Sequence, residues 1–405
     1  MTGTMISSRA ESRTVASPSY NVSLGYLRAF ITVLVVAHHA VLAYHPYAPP
    51  PAGSLNAQPW WRAFPVLDSQ RSTLFALLVA FNDVFFMSLM FFLSGLFVWK
   101  SLRRKGAGSF VRDRVLRLGL PFVFAAAVLA PLAYYPAYLQ VSARPSVMEF
   151  WRQWLSLGDW PAGPAWFVWV LLAFGCVAAL SYRIAPTWAP RLGERLSSIS
   201  ASPARFFLFL VAVTAAVYIP MAVIFNSLRW TAVGPFTFQT SRIFHYLAYF
   251  LIATALGAWG IDRGLLERGG KLARRWPVWT LGALIAFASV IVITVIAISA
   301  KGGSPALTFI GSFAFVVSCA TSSLMFLAIF VRFAGSSVAV FDSLRDNAYG
   351  IYLLHYAFVS WLQYRMLGVA LPALVKGSAV FVAALLLSWG TAAAIRRIPG
   401  VGKVI

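Results

Sequence analysis

The stretch Tyr26-Leu27-Arg28-Ala29-Phe30-Ile31-Thr32-Val33-Leu34-Val35-Val36-Ala37-His38-His39-Ala40-Val41-Leu42 decides how this chain is read. It is the heart of an apolar run long enough to cross a bilayer, which takes about 20 residues. It nevertheless carries an arginine and two histidines. Such side chains are costly in lipid and are kept where they line a cavity, a path or a site, so the default reading of this segment is functional. Eleven helical positions at 100° each come to about 1100°, some 20° past three turns, which places Arg28 and His39 on one helix face roughly 16 Å apart. His38 points elsewhere.

The rest of the 405 residues reads the same way. Hydrophobic residues make up 60% of the chain and charged residues only 11%, the balance of an integral membrane protein. Apolar runs of spanning length recur at about 24–44, 73–99, 114–135, 164–184, 205–226, 241–261, 276–299, 307–332, 346–366 and 373–395. The expected fold is therefore all-α, a single bundle of about ten transmembrane helices. Residues 1–22, rich in Ser and Thr without an apolar run, read as a loose cytosolic tail rather than a signal peptide. Residues 23–405 read as one membrane domain with no internal repeat.

A net charge of +22 raises the question of nucleic acid. The basic residues form short clusters between spans, with no long aromatic-basic tract, so no nucleic-acid partner is expected. With a cytosolic N-terminus, 24 of the 33 Lys and Arg residues fall on the inner side and 9 on the outer. That bias places both termini in the cytosol of a cell inner membrane. Cys176 and Cys319 fall within spans, and neither a disulfide nor a metal site is expected. The outward stretches from His45 to about Ser72 and from Tyr134 to Pro164 are rich in Pro and Trp. They suit a polar acceptor, although aromatic residues also anchor proteins at the headgroup level.

Several short motifs occur in a telling order: Arg28 with His39, Phe91-Phe92-Leu93-Ser94-Gly95, Arg114-Val115-Leu116-Arg117 followed by Pro121, Ala165-Trp166-Phe167, Gly350-Ile351-Tyr352-Leu353-Leu354-His355, and Arg397-Ile398-Pro399-Gly400. In that order, from about Tyr20 to the end, the chain resembles the family-three membrane acyltransferases, O-acyltransferases of bacterial surface and periplasmic glycans. Phe81-Asn82-Asp83 and the Trp166-Phe167 segment are similar to the branch that succinylates periplasmic glucans. Many members carry an acid three places before the residue matching Arg28, where this chain has Gly25. Arg28 thus lacks its local partner, and either another span or the donor meets it.

The resemblance implies transfer of an acyl group, acetyl or succinyl, from cytosolic acyl-coenzyme A to a hydroxyl of an extracytoplasmic glycan, with no tightly bound cofactor. Arg114 and Arg117, three apart at the inner end of a span, match phosphate geometry, although topology and anionic lipid also favour a basic cluster there. His39, about 22 Å from the inner edge, is the candidate general base or nucleophile. Asp83, about 25 Å up the second span, is the one acid well inside a predicted span and is expected to orient His39 or the acceptor. Tyr352 and His355 share a face, and are candidates to line the acyl path or position the thioester carbonyl. Both also serve elsewhere as interhelix hydrogen-bonders. Competing readings are a transporter of a polar solute, which intramembrane Arg, Asp and His also mark, and a scaffold without catalysis. Membrane lipid, acyl-coenzyme A and a polar, carbohydrate acceptor are the expected partners.

Overall fold

The structure, a computed structural model, describes residues 19–50, 54–55, 59–300 and 304–403. Most of the expected tail therefore lies outside the described residues, and helix α1 already begins at Ser19 (Ser19–Val41). It is followed by α2 (Thr73–Gly95), α3 (Val98–Lys105) and a long interrupted helix. That helix runs α4 (Ala107–Arg114), a π turn (Val115–Gly119), α5 (Leu120–Phe124), a second π turn (Ala125–Leu129) and α6 (Ala130–Val141). Then come α7 (Val147–Leu155), α8 (Trp166–Ile184), α9 (Trp188–Ser200) and α10 (Pro203–Phe225). An antiparallel hairpin, β1 (Trp230–Val233) with β2 (Phe236–Gln239), precedes α11 (Ile243–Trp259), α12 (Lys271–Arg274), α13 (Trp276–Ser299), α14 (Pro305–Phe333), α15 (Ala339–Arg365) and α16 (Ala373–Ile395).

All ten expected spans are helical, and among the described residues eight helices are long and apolar enough to cross a membrane. The two that fall short do so for different reasons. Helix α11 has 17 residues, and α15 has 27 but spends them on tyrosines, a histidine, a glutamine and charged ends. Both are sheltered inside the bundle: α11 packs between α2, α9 and α10, and α15 between α1, α6 and α16. A helix shielded from lipid by neighbours does not need an apolar surface of its own. Helix α13 is the opposite case, with only 11% of its most apolar window buried, against 78% for α14. Leu281, Leu284, Ile285, Val292 and Val295 form its exposed, lipid-suited face.

Helix α1 sits at the centre and touches α2, α14, α15 and α16. The interrupted helix owes its connection to α15 to its prolines. Proline has no N–H, so it cannot close the helical ladder onto the carbonyl four residues earlier. Pro121 thus frees the carbonyl of Arg117, and Tyr349 Oη of α15 donates to it at 2.8 Å. Pro136 frees that of Leu132, and Trp361 Nε1 of α15 donates to it at 3.0 Å. Away from water each freed carbonyl must find such a donor.

Helices α2 and α11 approach closely enough that their contact demands glycine. A Cβ on Gly95 would lie 2.3 Å from the carbonyl oxygen of Phe250, and one on Gly257 only 1.9 Å from that of Leu96. Small residues let helix backbones pack this tightly in membranes. Gly95→Leu and Gly257→Leu are each expected to lower stability by about 3 kcal/mol, read as a lower melting temperature of the detergent-purified protein. Gly108→Leu, where an added Cβ meets nothing within 4 Å, serves as the comparison.

Candidate active site

Helix α1 presents His39 to α15. The two imidazoles of His39 and His355 lie with centroids 5.0 Å apart, and His39 Nδ1 is 3.3 Å from His355 Nε2. His39 Nδ1 also lies 2.8 Å from the carbonyl oxygen of Val35, and His355 Nδ1 lies 2.7 Å from that of Tyr352. A carbonyl can only accept, so in the neutral rings each Nδ1 carries the proton. His355 Nε2 then accepts part of the His39 Nδ1–H bond, and the lone pair of His39 Nε2 meets no hydrogen-bond donor among the described residues. Gln363 Nε2 fixes the register by donating to the carbonyls of His39 and Ala40 at 2.8 and 3.0 Å.

The expected shared face of Arg28 and His39 is seen in what each meets: α15 supplies His355 to one and the charge of Arg345 to the other. His38 turns toward α2, its ring 5.3 Å from that of Phe86. It does not leave the site, however, because its ring stays 5.2 Å from that of His39. Since α1 is surrounded by helices, two adjacent residues 100° apart both point inward.

Asp83 is placed differently from expectation. Its Oδ2 accepts from Arg242 Nη2 at 2.7 Å, and its main-chain carbonyl accepts from Arg242 Nη1 at 2.9 Å. The groups that hold His39 are instead a carbonyl and His355, so the orientation of that ring by Asp83 is corrected. Arg242 ends the short turn Thr240–Arg242 that leads into α11. Its guanidinium is buried and lies 4.5 Å from the ring centre of Phe315.

Tyr352 is also committed. Its hydroxyl donates to the carbonyl of Pro164, just ahead of α8. It belongs to a ladder of tyrosines on α15 in which Tyr349 Oη reaches Arg117 and Tyr356 Oη reaches Arg62, both at carbonyls. Tyr352 is thereby a clamp between α15 and the α8 entry, and its hydroxyl is not aimed at a thioester. His355 alone of the expected pair stands at His39. His245, another buried ring, sits among Tyr218, Tyr249 and Phe315 with Nε2 3.5 Å from Cys319 Sγ, away from this cluster.

At the other end of α1, Arg28, Arg114 and Arg117 converge. The charges of Arg117 and Arg28 both act on Arg114, and that of Arg345 acts on Arg28. Arg114 lies 5.0 Å over the Phe110 ring. No carboxylate pairs with Arg28, Arg114 or Arg117 among the described residues. The space over Gly25 is taken by the stem of Arg345, whose Cδ would lie 2.6 Å from an added Cβ. Arg345 pairs with Asp342 and Asp346 at 2.8 and 2.9 Å. At Gly25 this chain therefore brings Arg345 together with its two carboxylate partners.

Arg28, His38, His39 and Asp83 each retain accessible surface. Arg28 is exposed, the two histidines are half-buried, and the Asp83 side chain is 46% exposed. Among the described residues no cluster of three His, Cys, Asp or Glu is arranged to hold a metal ion.

This arrangement on a multi-pass helical bundle coincides with a family match. The chain belongs to acyltransferase family 3, whose model, an acyltransferase domain, matches residues 21–393. The match supports a membrane acyltransferase and takes in every site residue above. No curated protein and no solved structure matches the chain.

Removing Asp83 while keeping Arg242 strands a buried guanidinium. Asp83→Ala is expected to cost about 2–3 kcal/mol of stability, and Asp83→Ala with Arg242→Met clearly less, because uncompensated buried charge dominates the loss. Melting curves of the two variants and the parent check this.

Proposed function

We propose that the protein is an O-acyltransferase of a bacterial inner membrane, with both termini cytosolic, that moves an acetyl or succinyl group from cytosolic acyl-coenzyme A to a hydroxyl of an extracytoplasmic glycan. The observation that carries this reading is the His39 ring, held by Val35 and His355 through Nδ1 with Nε2 left free.

In this scheme the free Nε2 takes the proton of the acceptor hydroxyl as its oxygen attacks the thioester carbonyl. The tetrahedral intermediate collapses by breaking the C–S bond, and the departing thiolate receives the proton from the His39 imidazolium. Positive charge on that ring is transient, and the lone pair of His355 Nε2 and the Val35 carbonyl both face it. His355 thus fills the orienting place that a carboxylate holds in many triads. Alternatively, Nε2 of His39 attacks the thioester itself, the C–S bond breaks to release the thiolate, and the acceptor oxygen then displaces the imidazole from the acyl carbon as its proton passes to the thiolate.

The unpaired arginines support the donor assignment. Arg28, Arg114 and Arg117 offer three guanidinium groups with no carboxylate at ion-pair distance among the described residues, although Asp113 lies within electrostatic reach of Arg117, and guanidinium matches phosphate oxygens in a bidentate fashion. A coenzyme with several phosphates supplies the missing negative charge. Its pantetheine arm is long and thin, suited to span the distance along α1 from the arginines to His39. Coenzyme A is here a substrate, and no resident cofactor is invoked.

His39→Ala is expected to lower acyl transfer by about 10²–10⁴-fold, measured as thiol release from acyl-coenzyme A by the protein in nanodiscs and as added mass on extracytoplasmic glycans. His38→Ala is expected to lose much less. Equal losses for the two, or full transfer by His39→Ala, contradict the assignment.

A further inference from the structure

The seam between α15 and the interrupted helix is not fully packed. Tyr352 and Tyr356 of α15, with Ala125, Leu129 and Ala133 of the interrupted helix and Pro164 at the entry to α8, line a cavity of about 20 Å³. Voids of that size are few in a packed protein. This one lies at the second π turn, Ala125–Leu129, a distortion that recurs at functional sites, and alanines line it where larger side chains would fill it. It also adjoins the histidines. The ring of Tyr356 meets that of His39 edge to face at 5.1 Å, and the ring of Tyr352 lies 5.9 Å from that of His355. The two tyrosines in the cavity wall are therefore the ones that touch the two imidazoles.

We propose that this cavity seats the alkyl end of the acyl group while its carbonyl stands at His39, and that it restricts the donor to a short, uncharged acyl group of about acetyl size. The proposal rests on the acyl-transfer reading given above and chooses within it between acetyl and succinyl. Room is the first ground. A space of about 20 Å³ takes about one water-sized group, which a methyl matches and the longer tail of a succinyl group exceeds. Charge is the second. Among the described residues that line the cavity none is charged, and the tyrosine hydroxyls face main-chain carbonyls, Tyr352 that of Pro164 and Tyr356 that of Arg62. A succinyl carboxylate would lose its hydration there and meet neither a cation nor an uncommitted hydroxyl, which is costly for a buried charge. A methyl gains apolar contact instead. Leu129 is the bulkiest side chain that the interrupted helix adds to the wall, so it limits the length of chain admitted.

The test is calorimetric binding of coenzyme A and of its acetyl, butyryl and succinyl thioesters to the full chain in nanodiscs. The parent is expected to bind the acetyl form at least about tenfold more tightly than the butyryl and succinyl forms, the ratio that overpacking one apolar site produces. Leu129→Ala is expected to bring butyryl to within about threefold of acetyl by adding room. It leaves succinyl weak, because it adds no charge. Ala133→Val, which fills the cavity, is expected to weaken the acetyl form about fivefold or more. That variant binds coenzyme A itself like the parent, which also shows that it is folded. Val128→Ala, next to Leu129 but 49% exposed on the outer surface of the bundle, keeps the parent's order of affinities. Equal affinity of the parent for the three thioesters overturns the proposal, as does an unchanged order in Leu129→Ala or unchanged acetyl binding in Ala133→Val. In each of these cases binding of coenzyme A stands, and the donor reading with it. Binding of none of the four compounds overturns the donor reading and this proposal together.

Discussion

Inside a bilayer no water stands ready to satisfy a stray donor or acceptor, so every polar group at depth must be met by the protein. In this molecule α15 carries a large share of the contacts between helices that do so. Its tyrosines, histidine, glutamine and tryptophan reach the carbonyls of Arg117, Pro164, Arg62, Leu132, His39 and Ala40, and the ring of His39 itself. Two of those carbonyls exist as free acceptors only because Pro121 and Pro136 interrupt the facing helix. The site and the fold thus share one set of hydrogen bonds. Loosening α15 would unseat the His39 ring and detach the interrupted helix together.

The same reasoning explains the uneven hydropathy of the bundle. Helix α15 is too polar to cross a membrane on its own composition, and it is the helix that holds the catalytic candidate. Helix α13, the most lipid-exposed of the eight apolar spans by burial of its window, carries nothing that the site uses. Distance from lipid and density of function rise together, as expected when intramembrane polar groups are expensive.

Much of this was legible in the sequence. Apolar runs located all ten long helices, and the 100° step placed Arg28 and His39 on the face that meets α15. Gly25 marked a missing partner for Arg28. What pattern alone did not give was pairing between helices distant in the chain. Asp83 and His39 lie at similar depth, and depth suggested contact, but packing gave Asp83 to Arg242, 159 residues later. A signal was available: the one acid within a span needs a cation, and Arg242 sits at the edge of a predicted span. The role of Tyr352 was hidden for a similar reason, since a hydroxyl capable of chemistry and one that clamps a carbonyl look alike until the carbonyl is located. His38 was read as facing away because a single helix has a back; α1, enclosed by four neighbours, does not.

The central claim is that His39 is a neutral ring with its proton on Nδ1 and a free Nε2. Solid-state nitrogen resonance spectroscopy of histidine-labelled protein in lipid bilayers at neutral pH, with His39 assigned by substitution, reads this state directly. The account predicts the neutral Nδ1–H tautomer, and a change in the His39 Nδ1 resonance when His355 is replaced by alanine. An imidazolium at neutral pH, or the Nε2–H tautomer, contradicts it.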